Sequence, residues 1–364
     1  MNIVADPNIP FVREAFAPIG ETRLVPGREI TGADVRDADL LLVRSVTPVN
    51  AALLEGSRVK FVATATIGTD HVDFDYLRSR KIGFVCAGGS NANSVAEYVI
   101  AALLELAHRR KFRLRDKSLG VVGVGNVGSR VVRCAQALGL PVLQNDPPLG
   151  LHERALEADI VTVHVPLLET TRHMFHRDNL ERFFFINTAR GPVVDNKALL
   201  KAIDGDRIPG AILDVWENEP AISPELLDIV ELGTPHIAGY SFDGKVNGVR
   251  MIYRAACEFF GIAPTWEPQM PASLVPRIEI DARDLPAHAD DEDILRHAVR
   301  RVYNITGDDD ALRERVRDPD GIGAGFDKLR AEYPVRREFF NTQLVLRGVS
   351  DELRQKFAAL GFRL

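Results

Sequence analysis

The sequence predicts an α/β protein built from two doubly wound parallel-sheet lobes, with a smaller α+β segment at its C-terminal end. Three observations carry that expectation. Short apolar runs alternate with helical patterns along residues 1–92 and again along 119–240, as in βα units whose sheet is covered by helices. Gly123, Gly125 and Gly128, in G-x-G-x-x-G spacing, join an apolar run at 119–124 to a helical pattern at 127–138. Four prolines within 264–276 then mark a linker, beyond which 277–364 has strand and helix patterns of its own.

The bulk numbers set limits. With 364 residues, 46% of them hydrophobic and 26% charged, the chain is long enough for several domains and has an ordinary globular composition. A net charge of −6 gives no general nucleic-acid footprint. Cys86, Cys134 and Cys257 are scattered and lie in apolar segments, which suits buried thiols in a reducing compartment better than disulfides or metal ligands. No metal is expected. The N-terminus lacks a basic region followed by a long apolar stretch, and no window approaches a membrane span, so a cytoplasmic location is expected with no membrane partner.

Taken in order, strands are expected at 2–5, 40–43, 59–65 and 82–86, with helices at 10–19, 49–54 and 74–80. Arg44-Ser45-Val46-Thr47 and Thr66-Ile67-Gly68-Thr69-Asp70 follow two of these strands, and ligands of parallel sheets bind beyond strand carboxyl ends. Ser94 and Glu97 read as a capping box opening a helix at 95–107 that crosses from the first lobe to the second. The second lobe continues with strands at 140–143, 158–163, 183–187 and 210–215, a short run before Thr234, and a helix at 196–203. A long amphipathic helix follows at 241–260. Strands at 277–281 and 343–347 and helices at 291–302, near 309–316 and at 351–360 complete the chain. The lobes are expected at 1–93 with 241–263 (flavodoxin-like, substrate) and at 94–240 (Rossmann).

The glycine turn has a physical reading. Gly123 permits the tight turn, Gly125 lets backbone amides approach a pyrophosphate, and Gly128 lets helix and strand pack closely. The helix N-terminus offers unpaired N–H groups, so Gly123, Gly125, Asn126, Val127 and Gly128 are the candidate phosphate contacts. Asp146, at the end of the next strand, suits the ribose hydroxyls and favours NAD over NADP, whose 2′-phosphate it would repel.

Three further residues stand near strand ends: Arg190, Glu219 and His236. Oxidising an alcohol beside a carboxylate needs a base for the hydroxyl proton and a cation for the carboxylate. His236 suits the first task, with Glu219 favouring its imidazolium and fixing its ring. Arg190 suits the second, through its planar fork.

INTARGPVVD at 186–195, LDVWENEP at 213–220 and TPHIAG at 234–239, taken with VGVGNVG, resemble the D-isomer-specific 2-hydroxyacid dehydrogenases. The resemblance implies that Arg190, Glu219 and His236 form the catalytic set, with Glu217 set aside, and that Asp214 approaches the nicotinamide carboxamide. LLVRSVTPVN, FVATATIGTDHVD, SVAEYV, HIAGYSFDGK, RRVY and FDKLRAEYPVRREF resemble one branch of that family, which acts on a phosphorylated acid. This implies substrate contacts from Ser45 and Thr66 with Tyr240 beside them. It also implies NAD contacts from Asp146, Thr188, Ala189, Arg190, Asp214 and Gly239, and a homodimer formed through 277–364. Val165 and Ile67 depart from the family pattern, each larger or less polar than is common there.

A dianionic phosphate wants a guanidinium and hydroxyls, which makes Arg44 beside Ser45 and Thr47 the leading candidate; its alternative is a surface ion pair. Amides from Thr66 to Gly68 are expected to take the carboxylate. Arg336 and Arg337 are expected to be solvated surface, the alternative being that they reach the site of a neighbouring subunit. The function expected is NAD-dependent oxidation of a small phosphorylated 2-hydroxy acid. The alternatives are a different phosphorylated acid, such as 3-phosphoglycerate, a non-catalytic NAD-sensing regulator on the same fold, and a small-molecule regulatory role for 277–364.

Overall fold

The computed structural model describes residues 1–284, 286, 289–316 and 321–364, and divides into two compact units. Unit 1 comprises Met1–Asn91 and Phe242–Pro271; unit 2 comprises Ala92–Ser241 and Ala272–Leu364.

Unit 1 begins β1 (Asn2–Ala5), α1 (Val12–Phe16), β2 (Glu21–Leu24), α2 (Gly32–Val35), β3 (Leu40–Val43), α3 (Ala51–Leu54), β4 (Phe61–Thr64), α4 (Phe74–Ser79) and β5 (Gly83–Cys86). The five strands are parallel in the order β2-β1-β3-β4-β5, the flavodoxin-like arrangement. β3 and β4 are buried along their whole length, which is why both read as continuous apolar runs. β2 (ETRL) is an edge strand alternating exposed and half-buried residues, so it carries no such run and the sequence reading passes over it together with α2.

Unit 2 opens with α5 (Ala92–Arg110), buried along nearly all its length. The helix starts before Ser94 and lies wholly within this unit, which corrects two expectations. Ser94 is not an N-cap, because its hydroxyl donates to the Ala238 carbonyl at 2.9 Å. Glu97 instead accepts the Phe339 amide at 2.8 Å. Then follow β6 (Leu119–Val122), α6 (Gly128–Ala137), β7 (Val142–Asp146), β8 (Leu151–His152), β9 (Ile160–Val163), β10 (Phe184–Asn187), α7 (Asn196–Asp204), β11 (Ala211–Leu213), α8 (Pro224–Ile229) and β12 (Leu232–Gly233). The sheet order is β12-β11-β10-β9-β6-β7-β8, a Rossmann arrangement in which only the short β8 runs antiparallel. The strand order reverses beside β6, and the glycine turn follows that strand.

The long helix α9 (Phe242–Phe260) returns to unit 1, where Val249, Ile252, Tyr253, Ala256 and Cys257 join the core beneath β1, β3 and β4. The C-terminal segment adds β13 (Arg277–Asp281), α10 (Asp291–Val302), α11 (Ile305–Val316), α12 (Ile322–Ala331), β14 (Gln343–Arg347) and α13 (Asp351–Ala359) to unit 2. β13 and β14 pair in parallel, and their buried Ile278, Ile280, Leu344 and Leu346 share one apolar core with α5 and α6. The sequence reading misses α12, whose two glycines weaken its helical signal.

Candidate active site

The glycine turn behaves as its residues dictate. Gly123 has φ of +87°, the left-handed region. A Cβ on Gly128 would stand 2.0 Å from the Gly123 carbonyl oxygen, so only glycine lets α6 start there. A Cβ on Gly125 would meet nothing within 4 Å. The space above Gly125 is therefore open, and the N-terminus of α6 has neither a side-chain cap nor an acid in its first turn. Uncapped amides facing open space fit a pyrophosphate. Asp146 Oδ2 accepts the Val124 amide at 2.7 Å, so this acid also pins the turn.

Arg190, Glu219 and His236 follow β10, β11 and β12, which are neighbours in the sheet. Nδ1 of His236 lies 2.7 Å from Oε2 of Glu219. The other carboxylate oxygen of Glu219 accepts the Trp216 amide at 2.8 Å, which fixes the plane of the group. Burial pushes the Glu219 carboxyl up, but the His236 charge and hydrogen bond, the Trp216 amide and the charge of Arg330 outweigh it and hold it below the usual range. His236 has φ of +57°, a strained conformation for a non-glycine residue. It is held by its own amide, which donates to the carbonyl oxygens of Asp214 (2.7 Å) and Thr234 (3.0 Å).

Asp214 is only 1% exposed. Its carboxylate accepts from the Thr234 hydroxyl and the amides of Ile237 and Ala238, so it ties down the loop that carries His236. Burial raises its pKa, against the opposing pull of His236 and those three donors. A second carboxylate–imidazole pair joins Glu217 to Nε2 of His173 at 2.7 Å, and Glu217 also accepts the Asn196 amide. The sequence reading sets Glu217 aside but does not find His173.

Arg190 sits in a turn clamped by Asn187, whose side chain donates to the Arg190 carbonyl and accepts the Ala189 amide. Its guanidinium donates to the Ala189 carbonyl at 2.8 Å. Gly191 is required because a Cβ there would stand 1.9 Å from the Trp216 carbonyl oxygen. The turns bearing Arg190 and Glu219 are thus in backbone contact. The Thr188 hydroxyl lies 3.2 Å from Nδ1 of His164, a ring that burial lowers to a pKa of about 3 and so keeps neutral. Gly239 and Tyr240 are half-buried in the same loop as His236.

In unit 1, Arg44 with Ser45 and Thr66 with Gly68 follow the adjacent strands β3 and β4. Among the described residues Arg44 has no ion-pair partner. The Thr66 hydroxyl lies 2.8 Å from that of Thr64.

Arg336 and Arg337 contradict expectation: each is only 6% exposed. Arg336 donates to the Ala238 carbonyl at 2.6 Å and to the Ser94 hydroxyl, and its guanidinium lies 4.3 Å from the centre of the Tyr303 ring. Arg337 donates to Asn341 at 2.7 Å. The partners of Arg336 come from stretches far away in the chain, so no local pattern announces its burial.

Comparison with known proteins places these features. Residues 95–238 match the family described as D-isomer specific 2-hydroxyacid dehydrogenase, NAD binding domain. Residues 274–361 match a domain family of unknown function. Erythronate-4-phosphate dehydrogenase of Cellvibrio japonicus is 44% identical, with 100% of both chains covered. That of Salinibacter ruber is 45% identical over 93% of this chain and 92% of its own. Among solved structures, NAD⁺-bound 3-phosphoglycerate dehydrogenase of Entamoeba histolytica superposes with a TM-score of 0.62 at 23% identity, covering 72% of this chain and 95% of that one. The TT0316 protein of Thermus thermophilus gives 0.60 at 26%, covering 72% and 98%. Sheet, glycine turn and imidazole–carboxylate pair together define an NAD-dependent oxidoreductase. The chain belongs to the erythronate-4-phosphate dehydrogenase family, within the D-isomer specific 2-hydroxyacid dehydrogenases.

Proposed function

We propose that the protein oxidises 4-phospho-D-erythronate at C2, giving (R)-3-hydroxy-2-oxo-4-phosphooxybutanoate and NADH, a step of pyridoxal 5′-phosphate biosynthesis. The observation that carries this reading is the His236–Glu219 pair at the strand ends of an NAD-binding sheet, in a chain aligned end to end with enzymes of that name. Bound NAD⁺ supplies the hydride acceptor. The α6 amides with Gly125 would hold its pyrophosphate, and Asp146, Thr188, Ala189, Asp214 and Gly239 are assigned to the rest of it.

His236 takes the C2 hydroxyl proton on Nε2, the ring nitrogen not engaged by Glu219. Glu219 stays ionised, keeps Nδ1 in its protonated tautomer and steadies the imidazolium that forms. Arg190 holds the carboxylate and polarises the nascent carbonyl. Arg44 and Ser45 are assigned to phosphate, Thr66 and Gly68 to carboxylate, and Tyr240 to a substrate contact.

We assign the protein to the cytoplasm and to a homodimer formed through residues 277–364. Among the described residues no helix is long and apolar enough to cross a membrane.

The test is a side-by-side kcat/KM comparison of 4-phospho-D-erythronate and 3-phospho-D-glycerate with NAD⁺. Preference for the first supports the assignment; preference for the second overturns it. Protein that binds NADH yet turns over neither acid nor the corresponding oxo acids is a regulator instead.

A further inference from the structure

The C-terminal segment reaches the loop that carries His236 within a single chain. Residues 236–241 are tied to Asp214 on one side, as described above. On the other side lies the stretch 333–341. Arg336 and Ser241 are bridge partners in parallel backbone pairing. Arg336 and the Ser94 hydroxyl both donate to the Ala238 carbonyl, and the Ser94 hydroxyl also accepts the Ser241 amide at 3.2 Å. Glu338 accepts the Ser241 hydroxyl at 2.7 Å and the Asn93 side chain at 2.8 Å. The rings of Tyr333 and Tyr240 meet edge to face with centroids 5.8 Å apart, and the Arg330 guanidinium lies 5.6 Å from the Tyr240 centroid. At the start of α12, Gly323 comes close to Pro220, the residue after Glu219.

These groups are costly to bury unless they are held. Arg336 Nε and Nη1 have no hydrogen-bond partner among the described residues, and the Tyr303 ring faces the guanidinium. A buried cation that leaves two donors unmade does not stabilise the interior by itself. Its Nη2 donates to the carbonyl and hydroxyl of Ser94 and to the Ala238 carbonyl, so it joins the start of α5 to a carbonyl two residues from His236.

We propose that the C-terminal domain works in cis on the acid–base pair, with Arg336 and Glu338 as positioning residues that clamp Ala238 and Ser241 and so hold His236 against Glu219. This rests on the reading of His236 as the base. It gives the segment whose family model is a domain of unknown function a task besides the proposed association. The clamp fixes geometry at the imidazole and leaves the α6 phosphate cradle untouched, so its loss falls chiefly on kcat, with a smaller effect on cofactor affinity through the neighbouring Gly239.

The test uses the full-length protein with Arg336→Met, Arg336→Lys, Glu338→Gln and the exposed control Glu332→Gln. Arg336→Met is expected to lower kcat about 10- to 100-fold, because small misplacements of a catalytic group are costly. NADH affinity changes far less than kcat, oligomeric state stays unchanged, and Arg336→Lys recovers much of the rate by keeping one donor for Ala238. Unchanged kcat in Arg336→Met and Glu338→Gln, or a fall that tracks lost NADH affinity or a changed oligomeric state, overturns the proposal. Should Arg336→Met fail to fold, a double-mutant cycle of Ser241→Ala with Glu338→Gln replaces it: coupled losses in kcat support the clamp and additive ones overturn it. The downfield imidazole N–H proton resonance of His236, identified by its loss in His236→Gln, gives a readout independent of turnover. It is expected to weaken in Arg336→Met, and an unchanged resonance overturns the proposal. Protein inactive on 4-phospho-D-erythronate but active on another 2-hydroxy acid refutes the assigned substrate alone, since the rate ratios then apply to that acid.

Discussion

Oε2 of Glu219 and Nδ1 of His236 are 2.7 Å apart, while Oε1 of the same carboxylate is occupied by the Trp216 amide. Both oxygens are thus committed, and the imidazole is left with one nitrogen for chemistry. Replacing His236 by Gln is expected to reduce kcat about 10²- to 10⁴-fold, the usual worth of a positioned base, while NADH still binds. Steady-state kinetics with a fluorescence titration of NADH check both halves. Glu219→Gln keeps the shape but loses the charge, and a loss of about 10- to 100-fold is expected.

The same carboxylate makes stability depend on pH. Its folded pKa lies below the ordinary 4.5, so its contribution is complete above that value and disappears as pH falls through the lower folded one. Urea unfolding from pH 6 down to pH 3 is expected to show Glu219→Gln converging on the unmodified protein at the acid end.

Asp308 works in the opposite sense. Burial pushes its carboxyl up to about 6, against the opposing pull of the Tyr333 hydroxyl and Arg336. An acid whose pKa is raised by folding costs stability once pH exceeds the folded value, and costs nothing below the unfolded one. Asp308→Asn is therefore expected to stabilise the protein by about 1–3 kcal/mol at pH 8 and to have little effect at pH 4. Urea midpoints at the two pH values decide it.

Gly125 and Gly128 are expected to fail differently. A methyl group on Gly125 meets no protein atom, so Gly125→Ala leaves thermal stability intact and raises the KM for NAD⁺. Gly128→Ala drives a methyl into the Gly123 carbonyl and lowers stability by about 1–3 kcal/mol. Thermal melts and NAD⁺ saturation curves on the pair separate the two.

Gly191→Ala is expected to act at a distance. Its methyl collides with the Trp216 carbonyl, so the turns bearing Arg190 and Glu219 are forced apart. A fall in kcat/KM for the hydroxy acid is expected, larger than any rise in the KM for NAD⁺ through Thr188 and Ala189; equal effects on both substrates would show global damage instead.

Much of this is legible in the sequence alone. The strands β1, β3, β4, β6 and β9 announce themselves as apolar runs because they are buried on both faces. The glycine spacing, and the pairing of Glu219 with His236, follow from motifs whose turns end neighbouring strands. What escaped has a common cause. Edge strand β2 and the glycine-bearing α12 carry weak local signals. Ser94 reads locally as a cap, yet its hydroxyl serves a carbonyl 144 residues away. Arg336 reads as surface because the groups that bury it lie up to 242 positions distant. Local patterns report local physics, and these residues answer to tertiary partners.

The shared interior of unit 2 has a consequence for how the chain can be cut. Ile278, Leu295, Phe339 and Phe357 pack in one apolar cluster with Tyr98, Leu103 and Val131. Removing everything after residue 276 would strip one wall from the Rossmann half and leave α5 facing water. The dinucleotide-binding half and the C-terminal half should therefore melt in one transition, and neither should be recoverable by limited proteolysis as a folded fragment.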